Sequence, residues 1–224
     1  MLPNRLGGGS LRRQSRAKKP LMEIACLDLE GVLIPEVWIN FAERTGIDEL
    51  RATTREIPDY DQLMRQRLAI LDREELGIRD IQDVIAGMDP MPGAREALDW
   101  LREHFQVVIL SDTFYEFAEP FMRKLGWPTL LCHRLEINDK GMISDYKIRQ
   151  PDPKRASVKA FHSLKYRIIA TGDSYNDTSM LSEADAGILF RPPQNVIDEF
   201  PQFPVATEYS ELQAEFAKAS ERDL

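Results

Sequence analysis

A chain of 224 residues, 43% hydrophobic and 29% charged, has enough apolar mass for one large domain or a domain carrying an insertion. Its formal charge of -8 hides a split: Arg5, Arg12, Arg13, Arg16, Lys18 and Lys19 crowd residues 1–20, where no acid occurs, and setting those six aside leaves 23 bases against 37 acids, a body of -14. Such a body repels nucleic-acid phosphates, and no apolar run reaches the length of a transmembrane helix, so neither nucleic acid nor membrane is an expected partner.

Residues 1–21 join a Gly-Gly-Gly-Ser run to the basic cluster and lack a secretory apolar region, which reads as a disordered basic extension. An organellar targeting segment and an upstream start site are the alternatives, with Met22 a natural start. Ile24, Ala25, Cys26 and Leu27 then form an apolar run too short for a helix, stopped by Asp28, Leu29, Glu30 and Gly31. That pattern predicts a buried parallel strand delivering two acids into a loop at its carboxyl end, where open α/β sheets bind ligands. Aspartate at such a point also serves as an ordinary helix cap. Residues 35–88 read as helices over 35–46, 59–77 and 78–87, each with glycine at its end and with no strand among them. Inserted directly after the first strand, they are expected to form a small helical cap that closes over its carboxyl edge.

The α/β alternation resumes at Asp89, so 22–34 and 89–224 make up the expected core, an α/β fold with a parallel sheet flanked by helices. A helix from Pro92 to Phe105 leads into the buried strand FQVVIL, which ends in Ser111, Asp112 and Thr113. Tyr115 to Leu125 reads as helix, TLLCH as a short strand, and LEINDKGMISDYKI as an antiparallel hairpin turning around Asn138 to Gly141. Asp152 is placed to cap a helix that has Pro153 at its first position. Arg167 to Ala170 is a third core strand ending in Thr171, Gly172 and Asp173, and AGILF at 186–190 is a fourth. Cys26 and Cys132, far apart in apolar runs, suit the reduced interior of a cytoplasmic protein. His104, His133 and His162 have no partner pattern and read as structural or surface residues.

Parallel strands ending in Asp28, Ser111 and Asp173 should gather those side chains along one rim, although 145 residues separate the outer two. Asp28, Asp173 and Asp177 supply hard carboxylate oxygens, the set that suits Mg2+ alongside a phosphate and waters. Ser111 offers a hydroxyl to phosphoryl oxygens, and Lys154 a full positive charge beside a helix N-terminus. Asp28 is then a carboxylate nucleophile for phosphorus, and Glu30 an acid/base for the leaving and incoming oxygens. Taken singly, Ser111–Asp112–Thr113 also reads as turn chemistry and Lys154 as a solvated surface lysine. The case rests on the order: strand to Asp-x-acid, strand to Ser, helix-start Lys, strand to Gly-Asp-x-x-Asn-Asp.

Through DLEGV at 28–32, SDT at 111–113, Lys154 and GDSYND at 172–177, the sequence resembles the haloacid dehalogenase-like phosphatases over nearly all of Met22 to Phe203. The resemblance implies a Rossmann-like core, Asp28 as nucleophile, residue 30 as acid/base, and Ser111 and Lys154 on the phosphate. It also implies Mg2+ on Asp28, the main-chain carbonyl of Glu30 and Asp173, with Asp177 as a supporting second acid. Most members of the family carry aspartate where this chain has Glu30. IPE at 34–36, DYDQLMRQRL at 59–68 and SDTFYEF at 111–117 resemble a subgroup that keeps this glutamate, bifunctional enzymes that hydrolyse phosphoserine and pass its phosphoryl group to homoserine. That likeness implies Glu36 on the substrate amine, Arg67 on its carboxylate, and Asp112 and Asn176 against the substrate, with water or homoserine as acceptor and a homodimer as a further expectation. Read from residue types alone, Arg67 and Glu36 fit exposed helix ion pairs as readily.

The rival readings are a phosphoacceptor switch module, which also groups Asp, hydroxyl and Lys around magnesium, and a phosphatase of the same superfamily for another small phosphomonoester. The helical insert and the added GDSYND site oppose the switch. A nucleotide-binding Rossmann fingerprint lacks its glycine-rich turn.

Overall fold

Strand β1 (Glu23–Leu27) is buried at every position because it lies in the middle of a sheet covered on both faces. The computed structural model describes residues 22–53, 56–57, 59–222 and 224; the expected basic extension 1–21 lies outside them. Among the described residues, the other strands are β2 (Gln106–Phe114), β3 (Thr129–Ile137), β4 (Ile143–Lys147), β5 (Arg167–Gly172), β6 (Ala186–Phe190) and β7 (Val205–Ala206). They pair in the order β4-β3-β2-β1-β5-β6-β7, parallel throughout except for β3–β4, where the expected hairpin turns back and adds an antiparallel edge.

Side chains of β1 alternate between two apolar layers, which is why its run is continuous rather than amphipathic. Ala25 and Leu27 join the layer made with α4 (Ala94–His104), α5 (Tyr115–Lys124) and α9 (Tyr209–Ala219). Ile24 and Cys26 join the opposite layer with α6 (Pro153–Ser163), α7 (Thr178–Glu183) and α8 (Gln194–Glu199). Between β1 and α4 come α1 (Val37–Thr45), α2 (Tyr60–Arg73) and α3 (Ile78–Ala86), with a 3-10 turn over Asp48–Arg51. Phe41, Met64, Ile81 and Ile85 of this segment belong to the first layer, so its apolar face continues the core. It also bonds to the rest of the fold: Ile78 N–H to the Gly141 carbonyl at 2.9 Å, Gln82 Nε2 to the Glu116 carbonyl at 2.9 Å, and Arg65 to Asp145 at 2.8 Å.

Two local expectations change. Strand β2 does not end at Ser111 but continues to Phe114 after a shift of register against β3 beyond Leu110, so Ser111 sits in an irregular stretch whose ladder is interrupted. Asp152 occupies the position before α6 but makes no side-chain cap; its backbone is left-handed at φ 43°, and its carboxylate instead accepts Ser179 Oγ at 2.8 Å from α7. The working aspartate cap is Asp59, which accepts Gln62 N–H at 2.8 Å at the start of α2.

Candidate active site

The sheet order puts β1 between β2 and β5, and the registers Leu27↔Ile109 and Leu27↔Thr171 set Asp28 level with the ends of both neighbours. Asp28 N–H still bonds to the Thr171 carbonyl at 3.0 Å, so the strand holds the residue's backbone while its side chain leaves the sheet. The following loop turns sharply at Gly31, φ 75°, where a Cβ would stand 2.5 Å from Asp173 Oδ2. Gly172 is under a similar constraint, since a Cβ there would meet Asp177 Cγ at 2.3 Å. Both glycines let carboxylates crowd against main chain.

At the centre stands Lys154, 3% exposed in the first turn of α6. Its Nζ lies 2.7 Å from Asp177 Oδ1, 2.9 Å from Asp28 Oδ1 and 3.4 Å from Asp112 Oδ2. Burial alone would favour its neutral form, but the charges of Asp112, Asp177 and Asp28 outweigh that and hold it ionised well above the ordinary lysine value. The solvated-surface reading of this lysine is therefore wrong.

One ammonium does not neutralise the acids gathered around it. Oxygens of Asp28, Asp173 and Asp177 all come within 4.8 Å of one another. Burial first, then the Asp177 and Asp173 charges, raise the Asp28 carboxyl well above its usual range, with Lys154 opposing. Burial and the Asp177 charge push Asp173 up to about 7. Asp177 is fully buried and fixed by the main-chain N–H groups of Asp173 at 3.1 Å and Ser174 at 3.2 Å as well as by Lys154. A set of hard oxygens short of positive charge, with two members paying for their ionisation, fits a divalent cation.

Glu30 accepts the main-chain N–H of Val37 at 3.0 Å, the first residue of α1. Glu36 reaches solvent at the lip of the cleft, yet crowding by protein, the charge and hydrogen bond of Glu30 and the charge of Asp173 push its carboxyl up to about 8, against the opposing charge of Arg67. Arg67 is 7% exposed and, among the described residues, makes no ion pair: its guanidinium lies 4.4 Å from the Trp38 ring centre and donates to the Ala52 carbonyl at 2.9 Å, while Nε has no partner among them. Burial lowers its basicity to about 10, opposed by Tyr60, Glu30 and Glu36.

Ser111 is buried, its Oγ accepting Thr113 N–H at 3.3 Å. Asn176 Nδ2 donates to Asp112 Oδ2 at 3.0 Å, and Ser174 Oγ donates to Asn176 Oδ1. Three further residues touch this ensemble that the sequence did not single out as site residues. Tyr60 OH donates to the Asp112 carbonyl at 3.4 Å, Trp38 carries Arg67, and His133 faces Asp112, which corrects its reading as a residue without a partner. Aromatic residues at helical spacing and a lone histidine in an apolar strand look like core, which is why none stood out.

A family model described as haloacid dehalogenase-like hydrolase matches residues 9–185. Among curated relatives, phosphoserine phosphatase ThrH of Pseudomonas aeruginosa is 68% identical over 203 residues, 91% of this chain and 99% of its own. A phosphoserine phosphatase of Pseudomonas syringae pv. tomato is 66% identical over 203 residues, 91% of this chain and 86% of its own. Among solved structures, a phospho-aspartyl intermediate analogue of phosphoserine phosphatase superposes with a TM-score of 0.72 at 19% identity, covering 87% of this chain and 99% of the other, which establishes the shared fold. With the family model spanning most of its length and a relative 68% identical over 91% of it, this chain belongs to the haloacid dehalogenase-like hydrolases.

Proposed function

We propose that the protein hydrolyses phosphoserine through a phosphoryl group carried on Asp28, with Mg2+ as cofactor, and that it also transfers that group to homoserine. The observation that carries the reading is the buried ammonium of Lys154 held between Asp28 and Asp177, with Asp173 beside them. Two relatives of 68% and 66% identity named phosphoserine phosphatase support the substrate.

In this reading a carboxylate oxygen of Asp28 bonds to phosphorus as the seryl oxygen leaves with its electron pair. Glu30, on the same loop, gives that oxygen a proton and then takes one from the water or hydroxyl that attacks the aspartyl phosphate. Lys154 and the Ser111 hydroxyl receive the non-bridging oxygens. Asp28, Asp173 and the main-chain carbonyl of Glu30 would hold the Mg2+, with Asp177 as second acid. When bound, the ion supplies the positive charge that the crowded carboxylates lack and that a phosphoryl group needs during transfer. Arg67, its Nε unpartnered, takes the substrate carboxylate, and Glu36 its amine; an incoming ammonium restores the charge that crowding suppresses on Glu36. Asp112 and Asn176 lie against the substrate.

Residues 35–88 serve as a cap over the core formed by 22–34 and 89–224, excluding bulk water when closed. Among the described residues no helix is long and apolar enough to cross a membrane, in keeping with a cytoplasmic enzyme working on small molecules, as a monomer or a homodimer. Phosphate release from phosphoserine by the purified protein, with and without Mg2+, tests the reading; no release in the presence of Mg2+ overturns it. Release without phosphohomoserine when homoserine is added removes the transfer half alone.

A further inference from the structure

His133 lies on β3 opposite Phe114 of β2 and is 3% exposed. Its Nδ1 accepts the main-chain N–H of Arg149 at 3.2 Å. A peptide nitrogen only donates, so Nδ1 is the acceptor and the ring proton sits on Nε2. Arg149 is itself tied to α6, the helix that carries Lys154, through a 3.0 Å bond from Nη2 to Ser157 Oγ. Nε2 lies 3.7 Å from Asp112 Oδ1, beyond ordinary hydrogen-bond length but close enough for an N–H dipole there to favour the carboxylate. Burial would raise the Asp112 carboxyl, but the Lys154 charge, then His133 and Asn176, outweigh that and hold it below the usual carboxylate range.

The two oxygens of Asp112 thus face opposite ways. Oδ1 meets His133, while Oδ2 takes the Asn176 amide at 3.0 Å and stands 3.4 Å from Lys154 Nζ. A carboxylate on a short side chain turns about two bonds, and what fixes one oxygen fixes the other.

We propose that His133 is a positioning residue acting through Asp112: held as its Nε2–H tautomer by Arg149, it sets the Asp112 carboxylate so that the far oxygen holds the Asn176 amide and steadies Lys154 beside Asp28. The inference rests on the reading of the site as a phosphoryl-transfer centre. Loss of the Nε2 donor frees Asp112 to rotate, loosening Asn176 and removing one of three carboxylates that steady the ammonium. A packing role alone makes no such demand, since the ring merely lies 6.3 Å, centre to centre, from Phe114 and an apolar side chain of similar size would serve.

The tautomer is read without substrate, from long-range 1H–15N correlations of the His133 ring in the wild-type protein. Protonated Nε2 with bare Nδ1 is expected; the opposite tautomer overturns the proposal. Kinetics on phosphoserine then compare variants whose folding is checked by thermal melting. His133→Leu should lose about tenfold or more in kcat with a smaller change in KM, as expected when reacting groups are misplaced. His133→Gln, which returns an amide donor near the Nε2 position, should recover to within about threefold of wild type on the same scale. In an Asp112→Ala background, which leaves no acceptor for Nε2–H, His133→Leu should cost nothing further, because its route is already cut. Wild-type turnover in His133→Leu, or full additivity with Asp112→Ala, overturns the proposal. Should His133→Leu fail to fold, His133→Asn replaces it: the shorter amide still accepts from Arg149 but does not reach Asp112. A wild-type protein inert toward phosphoserine rejects the substrate reading instead, and the tautomer measurement still judges His133.

Discussion

The carboxylate of Glu30 accepts the main-chain N–H of Val37 at 3.0 Å, which ties the side chain proposed as the acid/base beside Asp28 to the first turn of helix α1. The first N–H groups of a helix have no partner within it, so a carboxylate there satisfies a donor and meets the positive end of the helix dipole. Aspartate at position 30 would fall short by one methylene. Glu30→Asp should therefore lower kcat on phosphoserine by about tenfold or more, through misplacement of the proton-transfer group. Steady-state kinetics check this; unchanged turnover would show that the tether to α1 has no bearing on the reaction.

Asp28→Asn removes the charge of the proposed nucleophile and keeps the shape. Turnover should fall by about 10^4-fold or more, the scale on which loss of a nucleophile is felt. The metal-free fold should lose little, since Asp28 is held there against burial and two neighbouring acids. Melting curves of the two proteins without metal provide the comparison, and a large drop for Asn would mean that the Lys154 pair dominates stability.

Without metal, the protein should become less stable as pH rises. Burial and neighbouring acids push Asp173 up to about 7 and Glu36 up to about 8, from ordinary carboxyl values of 3.8 and 4.5. Between roughly pH 4 and 8 the unfolded chain has released these protons while the folded one still binds them, so ΔG of unfolding falls with pH across that window. Mg2+ should flatten the slope near its upper end by favouring ionised Asp173. Urea denaturation at pH 5.5, 7 and 8.5, with and without Mg2+, measures both effects on the scale set by these shifts. A metal-free protein equally stable at all three would contradict the crowding of the acids.

Arg67→Lys keeps the charge but not the planar fork or the stacking on Trp38. KM for phosphoserine should rise by about tenfold, with kcat changed less, because the loss falls on binding the substrate carboxylate rather than on transfer. Kinetics with a phosphomonoester lacking that carboxylate form the control: a similar KM rise there would assign Arg67 to holding the helical segment together.

Much of this was legible in the chain. An apolar run broken by Asp-x-Glu reads as a buried strand ending in acids because a strand covered on both faces has no polar side, and β1 is such a strand. The strand begun at Arg167 to Ala170 runs to Gly172 and delivers Asp173 just past its end in the same way, and the hairpin around Asn138 to Gly141 announced its turn. These are local properties, set by which side chains a segment must hide from water. The meeting of Lys154 with three carboxylates, the stacking of Arg67 on Trp38, the approach of His133 to Asp112 and the register shift in β2 after Leu110 were not written in any one segment. They follow from strand order and from which helix packs over which strand, and only tertiary structure fixes these. The sequence determined which groups stand at strand and helix ends; the fold decided which of them share one poorly screened cleft, where charge and burial give them their chemistry.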